Sequence, residues 1–404
     1  MDRDATTRWR FDLGSTPPAE GHESLAPGTT YTHERGYGWL GETAVTALDR
    51  GGDDPLTRDL LTADGPFWFG LDVPEGCYRV TLLLGDSEAP TRTTVKAGSR
   101  CLHCPRVATD AGEFRTEQFT VDVRTPDLPD GGSVDLTDRE VGTLRWDDRL
   151  TLEFSDARPG ICAIDVERVD DVTTLFLAGD STVTDQSTSP WNSWGQMLTR
   201  FLDPGVAVAN HAESGRTAAS FIDERRWEKV RSQLSPGDYL FVQFGHNDMK
   251  EGSPAESGYL DGLATMVEGS RDRGVTPVVL TPPHRRRFDD EGRVVDTLAA
   301  YADAAREFAR ERDVTLIDLH AASERLYEAL GPEGSAAAFV DGTHHTDYGS
   351  YQLARCVVEG IRTSDLPLAD SLRADVDPYD PADPTPTPAE WSIPDVTPDP
   401  HLEG

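Results

Sequence analysis

The second half of the chain alternates short apolar runs with longer amphipathic stretches, and this rhythm restricts the fold more than any other feature of the sequence. Five runs have the length and apolar content of buried strands: residues 174–178, 206–209, 239–244, 277–281 and 314–319. Parallel neighbours in a sheet need crossover connections, which are usually helices. Because strands and helices alternate here, we predict a five-stranded parallel sheet with helices on both faces.

The clearest helix is predicted between the fourth and fifth runs. Leu298, Tyr301, Ala305 and Phe308 recur at the spacing of one helix face, while charged side chains such as Arg306 occupy the other face. In α/β sheets of this kind, ligands bind outside the carboxyl ends of the strands. The residues that directly follow the five runs are therefore the best candidates for an active site.

The first 170 residues follow a different pattern. Short runs rich in β-branched and aromatic residues, at 67–73, 78–84 and 119–123, are separated by clusters of Gly, Pro and Asp. This pattern favours a β-sandwich. After residue 363 the chain becomes rich in Asp and Pro, which favours an extended or disordered tail. The predicted organisation is a sandwich at 1–170, an α/β domain at 171–363 and an acidic tail at 364–404.

The net charge argues against two classes of partner. The chain carries 72 acidic and 38 basic residues, for a formal charge of −34, and its only lysines are Lys96, Lys229 and Lys250. A polyanion of this size repels nucleic acid phosphates and anionic membrane surfaces, so we expect neither as a partner. The acidic, lysine-poor composition resembles that of haloarchaeal proteins, whose self-repulsion is screened by salt. The sequence therefore predicts a halophilic protein.

The location of the protein is predicted from its amino terminus and its hydropathy. Residues 1–5 carry acidic side chains and lack the apolar segment of a secretory signal. No stretch approaches the roughly 18 consecutive apolar residues of a membrane span. These features predict a cytoplasmic protein, unless a leader has been removed.

The five cysteines do not form the pattern of a disulfide framework, because they are odd in number and widely scattered. Cys101 and Cys104, with His103 between them, have the spacing of half a zinc site. No second pair of ligands follows, and structural zinc takes four. We therefore expect no metal at these residues.

The first of the five runs ends in Gly179-Asp180-Ser181. Gly179 permits a tight turn, and Ser181 is predicted to open the following helix, with its Oγ facing solvent and its backbone N–H among unpaired donors. A developing oxyanion can use such an N–H. An ordinary serine cap is the alternative. The same Gly-Asp-Ser tripeptide ends at Ser87 in the β-region, where no matching partners follow, so we take Ser87 to be coincidental.

Two further donors follow the next two runs. Gly215 comes after the second run and offers a backbone N–H, and Asn247 comes after the third and offers a side-chain amide. With the backbone N–H of Ser181 they make three donors at one sheet edge, which would form an oxyanion hole. Each donor can lower the activation barrier by about 3 kcal/mol. Both residues are also common turn formers, which is the alternative interpretation.

The segment Asp341-Gly342-Thr343-His344-His345 supplies a base. A serine hydroxyl is a poor nucleophile until a base takes its proton, and a histidine does this at neutral pH. A carboxylate three residues before a histidine can reach Nδ1 when both share one loop, and it then fixes the tautomer. His345 competes for the role, but the spacing from Asp341 favours His344. An isolated Asp-x-x-His is more often a surface loop.

Together, these four blocks in this order resemble the SGNH hydrolase superfamily. The resemblance implies a three-layer, flavodoxin-like α/β fold. Carried over residue by residue, it implies that Ser181 is the nucleophile, that His344 is the base and that Asp341 orients it. It also implies that Ser181, Gly215 and Asn247 form the oxyanion hole.

The segments around these residues are similar to those of rhamnogalacturonan acetylesterases. Gly215 is followed by Arg-Thr, residues 281–286 read Thr-Pro-Pro-His-Arg-Arg, and Tyr348-Gly349 follow His344. The first 170 residues resemble the galactose-binding-like sandwich of multidomain members, through residues 11–14, 36–39 and 119–124. This resemblance implies a galactose-binding-like module in front of the hydrolase domain.

The reaction that the resemblance implies is hydrolysis of O-acetyl esters on a pectic polysaccharide or oligosaccharide. It proceeds through an acyl-enzyme and needs no metal or organic cofactor. The expected partner is therefore an acetylated carbohydrate. Arg216, Arg285 and Arg286 could meet galacturonate carboxylates, and His284 lies in the same segment as the last two. Surface ion pairs are the alternative for these arginines.

Two other functions stay open at this point. One is a related esterase that acts on acetylated xylan or another acyl ester. The other is a catalytically silent carbohydrate-binding protein, against which the complete set of five site residues argues.

Overall fold

The computed structural model describes residues 7–14 and 17–385. Twelve strands in the first part of the chain form two sheets. They are β1 Arg8–Asp12, β2 Glu23–Ser24, β3 Tyr37–Leu40, β4 Thr46–Asp49, β5 Asp59–Thr62, β6 Phe67–Asp72, β7 Gly76–Gly85, β8 Thr91–Ala97, β9 Cys101–Thr109, β10 Phe114–Val123, β11 Arg149–Arg158 and β12 Ile161–Val169.

The two sheets of this region share one apolar core. The larger sheet has the order β10-β7-β12-β1-β2, with β5 beside β12 and β4 beside β5, and the smaller has the order β3-β6-β11-β8-β9. All strand pairs are antiparallel except β1 with β2. Phe69 and Phe154 of the smaller sheet pack in one cluster with Val80 and Ile164 of the larger. The predicted β-rich region is thus a two-sheet sandwich.

The second part of the chain contains the predicted five-stranded parallel sheet. Its strands are β13 Thr173–Gly179, β14 Val206–Asn210, β15 Tyr239–Gln243, β16 Thr276–Leu280 and β17 Thr315–Ile317. Their order in the sheet is β14-β13-β15-β16-β17, which is the flavodoxin-like order, and all pairs are parallel. The prediction of this sheet is confirmed, and each predicted run overlaps one strand.

Helices cover both faces of the parallel sheet. They are α1 Trp194–Leu198, α2 Ala218–Asp223, α3 Arg226–Gln233, α4 Tyr259–Arg271, α5 Ala299–Arg312, α6 Leu319–Gly334 with a kink at Gly331, and α7 Asp347–Thr363. Alternate residues of β13 explain the layers, because Leu175 packs with α1, α6 and α7 whereas Phe176 packs with α2 to α5. The helix predicted around Tyr301 is α5, whose buried face includes Ala305 and Phe308.

The segment after α7 packs on the α/β region as far as it is described. Pro367–Ser371 forms a 3₁₀ helix, and Leu366, Leu368 and Tyr379 are buried in the same cluster as α7. The Tyr379 hydroxyl donates to Gln352 Oε1 at 2.9 Å. This first part of the predicted tail is therefore packed, because its few apolar side chains are buried against α7. Residues 386–404 of that tail lie outside the described residues.

No helix in the described part of the chain combines the length and the apolar character that crossing a membrane requires.

Candidate active site

Ser181 lies in a tight turn directly after β13, near the middle of the sheet. Gly179 is required there, because a Cβ at this position would lie 2.8 Å from the carbonyl oxygen of Gln243. The N–H groups of Val183 and Thr184 donate to the Asp180 carbonyl at 3.0 Å. The chain then continues without regular structure to α1 at Trp194. The predicted helix start at Ser181 is thus wrong.

The turn forms in place of a helix because a side chain captures the backbone. Asp180 Oδ1 accepts from the N–H and from the hydroxyl of Thr182, at 3.0 and 2.8 Å. Two β-branched threonines and Val183 follow Ser181, and such residues lose side-chain freedom in a helix. Ser181 is only 6% exposed, because the residue faces a pocket and not the open surface.

A chain of hydrogen bonds joins Ser181 to the loop before α7. His344 Nε2 lies 2.9 Å from Ser181 Oγ, and His344 Nδ1 lies 2.8 Å from Asp341 Oδ2. The other carboxylate oxygen, Asp341 Oδ1, accepts from the backbone N–H of Thr343 at 2.7 Å and of His344 at 2.8 Å. The loop therefore folds around the carboxylate and aims the imidazole at the serine.

The pKa of Asp341 lies below its usual value. Burial opposes ionisation of this carboxyl, but the hydrogen bonds from the His344 ring and from the backbone N–H groups of His344 and Thr343 outweigh it. A depressed pKa keeps the carboxylate charged across the neutral range. It can then accept from Nδ1–H and leave Nε2 free to take a proton from the Ser181 hydroxyl.

His345 points the other way, into the core. Its Nε2 lies 2.8 Å from the Tyr327 hydroxyl, and its ring packs on Phe339 with centroids 4.3 Å apart. Burial lowers the pKa of His345 to about 3. The competing histidine is therefore a buried, neutral core residue that does not face Ser181.

Gly215 and Asn247 line the same pocket as Ser181 and His344. Gly215 has φ +83°, a left-handed conformation that favours glycine. Asn247 Nδ2 donates to the Arg216 carbonyl at 3.1 Å, while Asn247 Oδ1 accepts from Lys250 Nζ at 2.8 Å. These two contacts fix which end of the amide is the donor, and one N–H of Nδ2 is left for another acceptor.

The pocket has a volume of about 340 Å³. Nine described residues line it: Arg139, Ser181, Gln186, Trp191, Ser214, Gly215, Asn247, Lys250 and His344. Two of the nine are cationic and none is acidic, although acidic residues outnumber basic ones by 72 to 38 in the whole chain. The pocket is therefore a local exception to the charge of the protein, and it suits an anionic ligand.

The part of the sequence that carries these residues matches a known protein family. Residues 177–350 match the GDSL-like Lipase/Acylhydrolase family. The chain is 40% identical over 216 residues to the rhamnogalacturonan acetylesterase RhgT of Bacillus subtilis (strain 168), in an alignment that covers 49% of this chain and 93% of that protein. The chain belongs to the GDSL-like lipase/acylhydrolase family.

Two other relatives extend the comparison. The probable rhamnogalacturonan acetylesterase YesY of Bacillus subtilis (strain 168) is 32% identical over 210 residues, which cover 49% of this chain and 96% of that protein. The uncharacterized esterase YxiM of the same organism is 25% identical over 370 residues, which cover 88% of this chain and 90% of that protein. The last alignment is long enough to include most of the sandwich as well as the GDSL-like domain.

The cationic lining of this GDSL-like hydrolase was not predicted from the sequence. Lys250 lies three residues after Asn247, and its rarity as one of three lysines is the signal that could have found it. Arg139 comes from the sandwich region, in the loop at 124–148 between β10 and β11, and its Nη2 donates to the Ser214 carbonyl at 3.2 Å. Nothing local marks Arg139, because it reaches the pocket only through the docking of the two regions.

The other arginines and the histidine that were predicted to contact substrate do not line the pocket. Arg216 Nε donates to Glu224 Oε2 at 2.6 Å, and Arg285 donates to the His246 carbonyl at 3.1 Å. Arg286 is held by Ser335 Oγ at 3.1 Å and by the Pro332 carbonyl at 2.8 Å. Their contact with an extended polysaccharide stays a prediction.

His284 is buried against a second histidine. Its ring stacks on that of His320 with centroids 3.6 Å apart. Burial, together with the charge of His320, lowers the pKa of His284 to about 4. A neutral, buried ring does not act as a cationic contact for a sugar carboxylate, so a direct role in binding substrate is not favoured.

The loop at 124–148 also fixes the backbone of the predicted oxyanion hole. Arg145 donates to the Ala212 carbonyl at 2.8 Å and to Glu213 Oε2 at 2.6 Å, both just before Gly215. The loop itself is anchored by Glu140, which accepts from Arg226 of α3 at 2.8 and 2.6 Å. Burial opposes the charge of Glu140, but Arg226 and Arg145 outweigh it and lower its pKa to about 2. The sandwich region thus positions part of the active site.

The two sequence features that were set aside have structural roles. Asp86, next to Ser87, is buried in the sandwich and pairs with Arg50 at 3.0 Å and with Arg158 at 2.5 Å. Cys104 packs in the sandwich core, and burial raises its pKa above the range of a reactive thiol. His103 stacks on Phe119 with centroids 4.3 Å apart.

Proposed function

We propose that this protein is a serine esterase that removes O-acetyl groups from an acidic pectic chain of the rhamnogalacturonan type. The observation that carries the proposal is the hydrogen-bonded series Asp341–His344–Ser181, which opens onto a pocket with two cations and no acid among its described lining residues. Relatives at 40% and 32% identity named as rhamnogalacturonan acetylesterases support this substrate class.

In the proposed mechanism the Ser181 hydroxyl attacks the acetyl carbonyl. His344 Nε2 takes the hydroxyl proton, and Asp341 stabilises the imidazolium that forms. When the C–O bond to the sugar breaks, His344 returns the proton to the leaving sugar hydroxyl. A water molecule then attacks the acetyl-enzyme, again with His344 as base, and acetate leaves as Ser181 regains its proton.

The negative charge that develops on the carbonyl oxygen is stabilised by neutral donors in this proposal. They are the backbone N–H groups of Ser181 and Gly215 and the side-chain amide of Asn247. Lys250 Nζ donates to Asn247 Oδ1 at 2.8 Å, so the Asn247 side chain does not have to rotate to present Nδ2 to the oxyanion. Arg145 donates to the Ala212 carbonyl and in this way fixes the backbone that leads to the Gly215 N–H.

The two cations of the pocket favour an acidic sugar over a neutral one. Arg139 has an exposed side chain, and its contact with Glu213, at 3.8 Å, is long for an ion pair. Glu213 is also neutralised by Arg145. The Arg139 guanidinium can therefore still bind a uronate carboxylate by charge-assisted hydrogen bonds. A neutral xylan offers no such group.

The finer description of the chain is part of the same proposal. The sandwich is of the galactose-binding-like type and ends near residue 170, and the hydrolase domain extends to about 363. The role of the sandwich is to hold the active-site backbone in place through the loop at 124–148, in line with the contacts of Arg139 and Arg145.

Release of acetate from a panel of substrates tests the proposed specificity. We expect kcat/KM to be higher on acetylated rhamnogalacturonan than on acetylated xylan. The Arg139→Gln and Lys250→Met substitutions should each lower the ratio of kcat/KM on acetylated rhamnogalacturonan to kcat/KM on acetylated xylan roughly tenfold. This is the effect of losing one hydrogen bond to a charged group.

Arg115→Gln is the matched control for these substitutions. Arg115 is an exposed arginine of the same sandwich region that pairs with Glu113 at 3.0 Å, and it does not line the pocket. Its substitution should leave the ratio unchanged. Activity on acetylated xylan alone, or a ratio that is insensitive to Arg139 and Lys250, would contradict the pectic assignment.

A further inference from the structure

Two histidines and an aspartate meet at the carboxyl edge of the parallel sheet, outside the active site. His284 follows β16, His320 follows β17 near the start of α6, and Asp296 lies just before α5. One nitrogen of each ring and one carboxylate oxygen all lie within 4.8 Å of one another. Neither histidine contacts Ser181 or lines its pocket, so the proposed esterase mechanism does not use this cluster.

The hydrogen bonds of His320 define which of its ring nitrogens carries the proton. Nδ1 lies 2.8 Å from the carbonyl oxygen of Pro282, which can only accept, so Nδ1 carries a hydrogen. In the neutral ring Nε2 is then a bare lone pair, and it faces Asp296 Oδ2 at 3.0 Å. Two lone pairs at this distance repel each other. The contact therefore calls for a cation between them, either a proton or a metal ion.

His284 supplies a second buried ring nitrogen beside the same carboxylate. The residue is 2% exposed, and its buried Nδ1 has no hydrogen-bond partner among the described residues. This Nδ1 lies 4.0 Å from Asp296 Oδ1. An unpartnered buried nitrogen is costly unless something binds it. A proton shared by His320 and Asp296 would leave Nδ1 of His284 unsatisfied, whereas a metal ion would satisfy all three groups.

From this geometry we propose that His284, Asp296 and His320 form a binding site for a divalent transition-metal ion such as Zn²⁺. Two imidazoles and one carboxylate are ligands that this class of ion takes, with water in the remaining position. The bond from His320 to the Pro282 carbonyl is the outer contact that usually orients a metal-bound histidine. Arg306, the nearby cation, is paired with Asp318 at 2.9 Å and does not occupy the site.

Closing the site requires only a small movement. Tetrahedral bonds of about 2.0–2.1 Å place the ligand atoms roughly 3.3 Å apart. The largest separation here is within 4.8 Å, and the Asp296 side chain is 40% exposed, so it is free to move inward.

The bound ion would connect the segment at 282–298 to α6. That segment also touches the catalytic loop, because the Arg286 N–H donates to the Gly342 carbonyl at 3.0 Å. We therefore expect the bound ion, with three protein ligands and water, to hold this segment in place beside the loop of Asp341 and His344.

Titration of the EDTA-treated full-length protein with Co²⁺ and Zn²⁺, in buffer with excess Mg²⁺, tests this site. We expect binding of one ion per chain, a rise in Tm of a few degrees, and a Co²⁺ spectrum without the thiolate charge-transfer band that cysteine ligands would give. His284→Ala and Asp296→Asn should each weaken binding roughly 100-fold or more. Asp296 is exposed, so its variant is expected to fold even if that of His284 does not.

His22→Ala is the matched control, because His22 also lies beside a carboxylate, Asp165, at 3.5 Å, but belongs to no group of three such ligands among the described residues. It should bind the ion as the unmodified protein does. Absence of stoichiometric binding, equal affinity in the Asp296→Asn variant, or a thiolate band would each overturn the metal site. Since the readout is metal binding, its failure would leave the proposed esterase function unaffected.

Discussion

Substitution of Ser181→Ala is expected to lower kcat for acetyl-ester hydrolysis by a factor on the order of 10⁵ to 10⁶. The reason is that Ser181 Oγ is the group 2.9 Å from His344 Nε2, and no acyl-enzyme forms without it. The oxyanion donors and the pocket remain, so the residual rate should stay above that of the reaction in water. The measurement is release of acetate from acetylated rhamnogalacturonan and from a small acetyl ester.

Ser87→Ala is the control for this substitution, since Ser87 ends the other Gly-Asp-Ser tripeptide of the chain. It should leave kcat unchanged. Equal Tm values for the two variants would show that the loss does not come from unfolding. If the Ser181→Ala variant kept most of its activity, the nucleophile would be elsewhere and the proposed mechanism would be wrong.

Substitution of Asp341→Asn is expected to lower kcat on the order of 10⁴-fold with little change in KM. The carboxylate now accepts from His344 Nδ1 at 2.8 Å, which leaves Nε2 unprotonated and ready to take the Ser181 proton. An amide can donate to Nδ1 and so favour the opposite tautomer, and it cannot stabilise the imidazolium. Steady-state kinetics on the same two substrates measure the effect.

Asp261→Asn serves as the comparison, because Asp261 is an exposed aspartate in the first turn of α4. We expect its kinetics to match those of the unmodified enzyme. A large rise in KM with unchanged kcat for Asp341→Asn would contradict the orienting role, since it would mean that the carboxylate acts on binding alone.

The parts of the fold and site that the sequence predicts are those fixed by local patterns. The apolar runs correspond to strands because their residues alternate between two buried faces, as Leu175 and Phe176 do. Asp341 and His344 are three residues apart in one loop, so their contact follows from chain geometry. Ser181 and His344 could be paired only through the order of the sheet, since 163 positions separate them.

What the sequence did not predict depends on contacts between distant segments. Arg139 and Arg145 reach the active site from the sandwich, and each pairs with a residue 68 to 75 positions away. Arg216 directly follows Gly215 in the sequence, which suggested a contact with substrate, but its guanidinium pairs with Glu224. A hydrophobic or charge pattern gives no information on which of these partners is closer in space.

Labelling of the intact protein with a serine-directed phosphonate, followed by peptide mapping, tests the central claim most directly. The phosphonate mimics the tetrahedral intermediate and reacts only where a base activates a serine and donors bind the oxyanion. We predict one adduct per chain, located on Ser181, with loss of acetate release in parallel. An adduct on any other serine, or continued acetate release by fully labelled protein, would contradict the account.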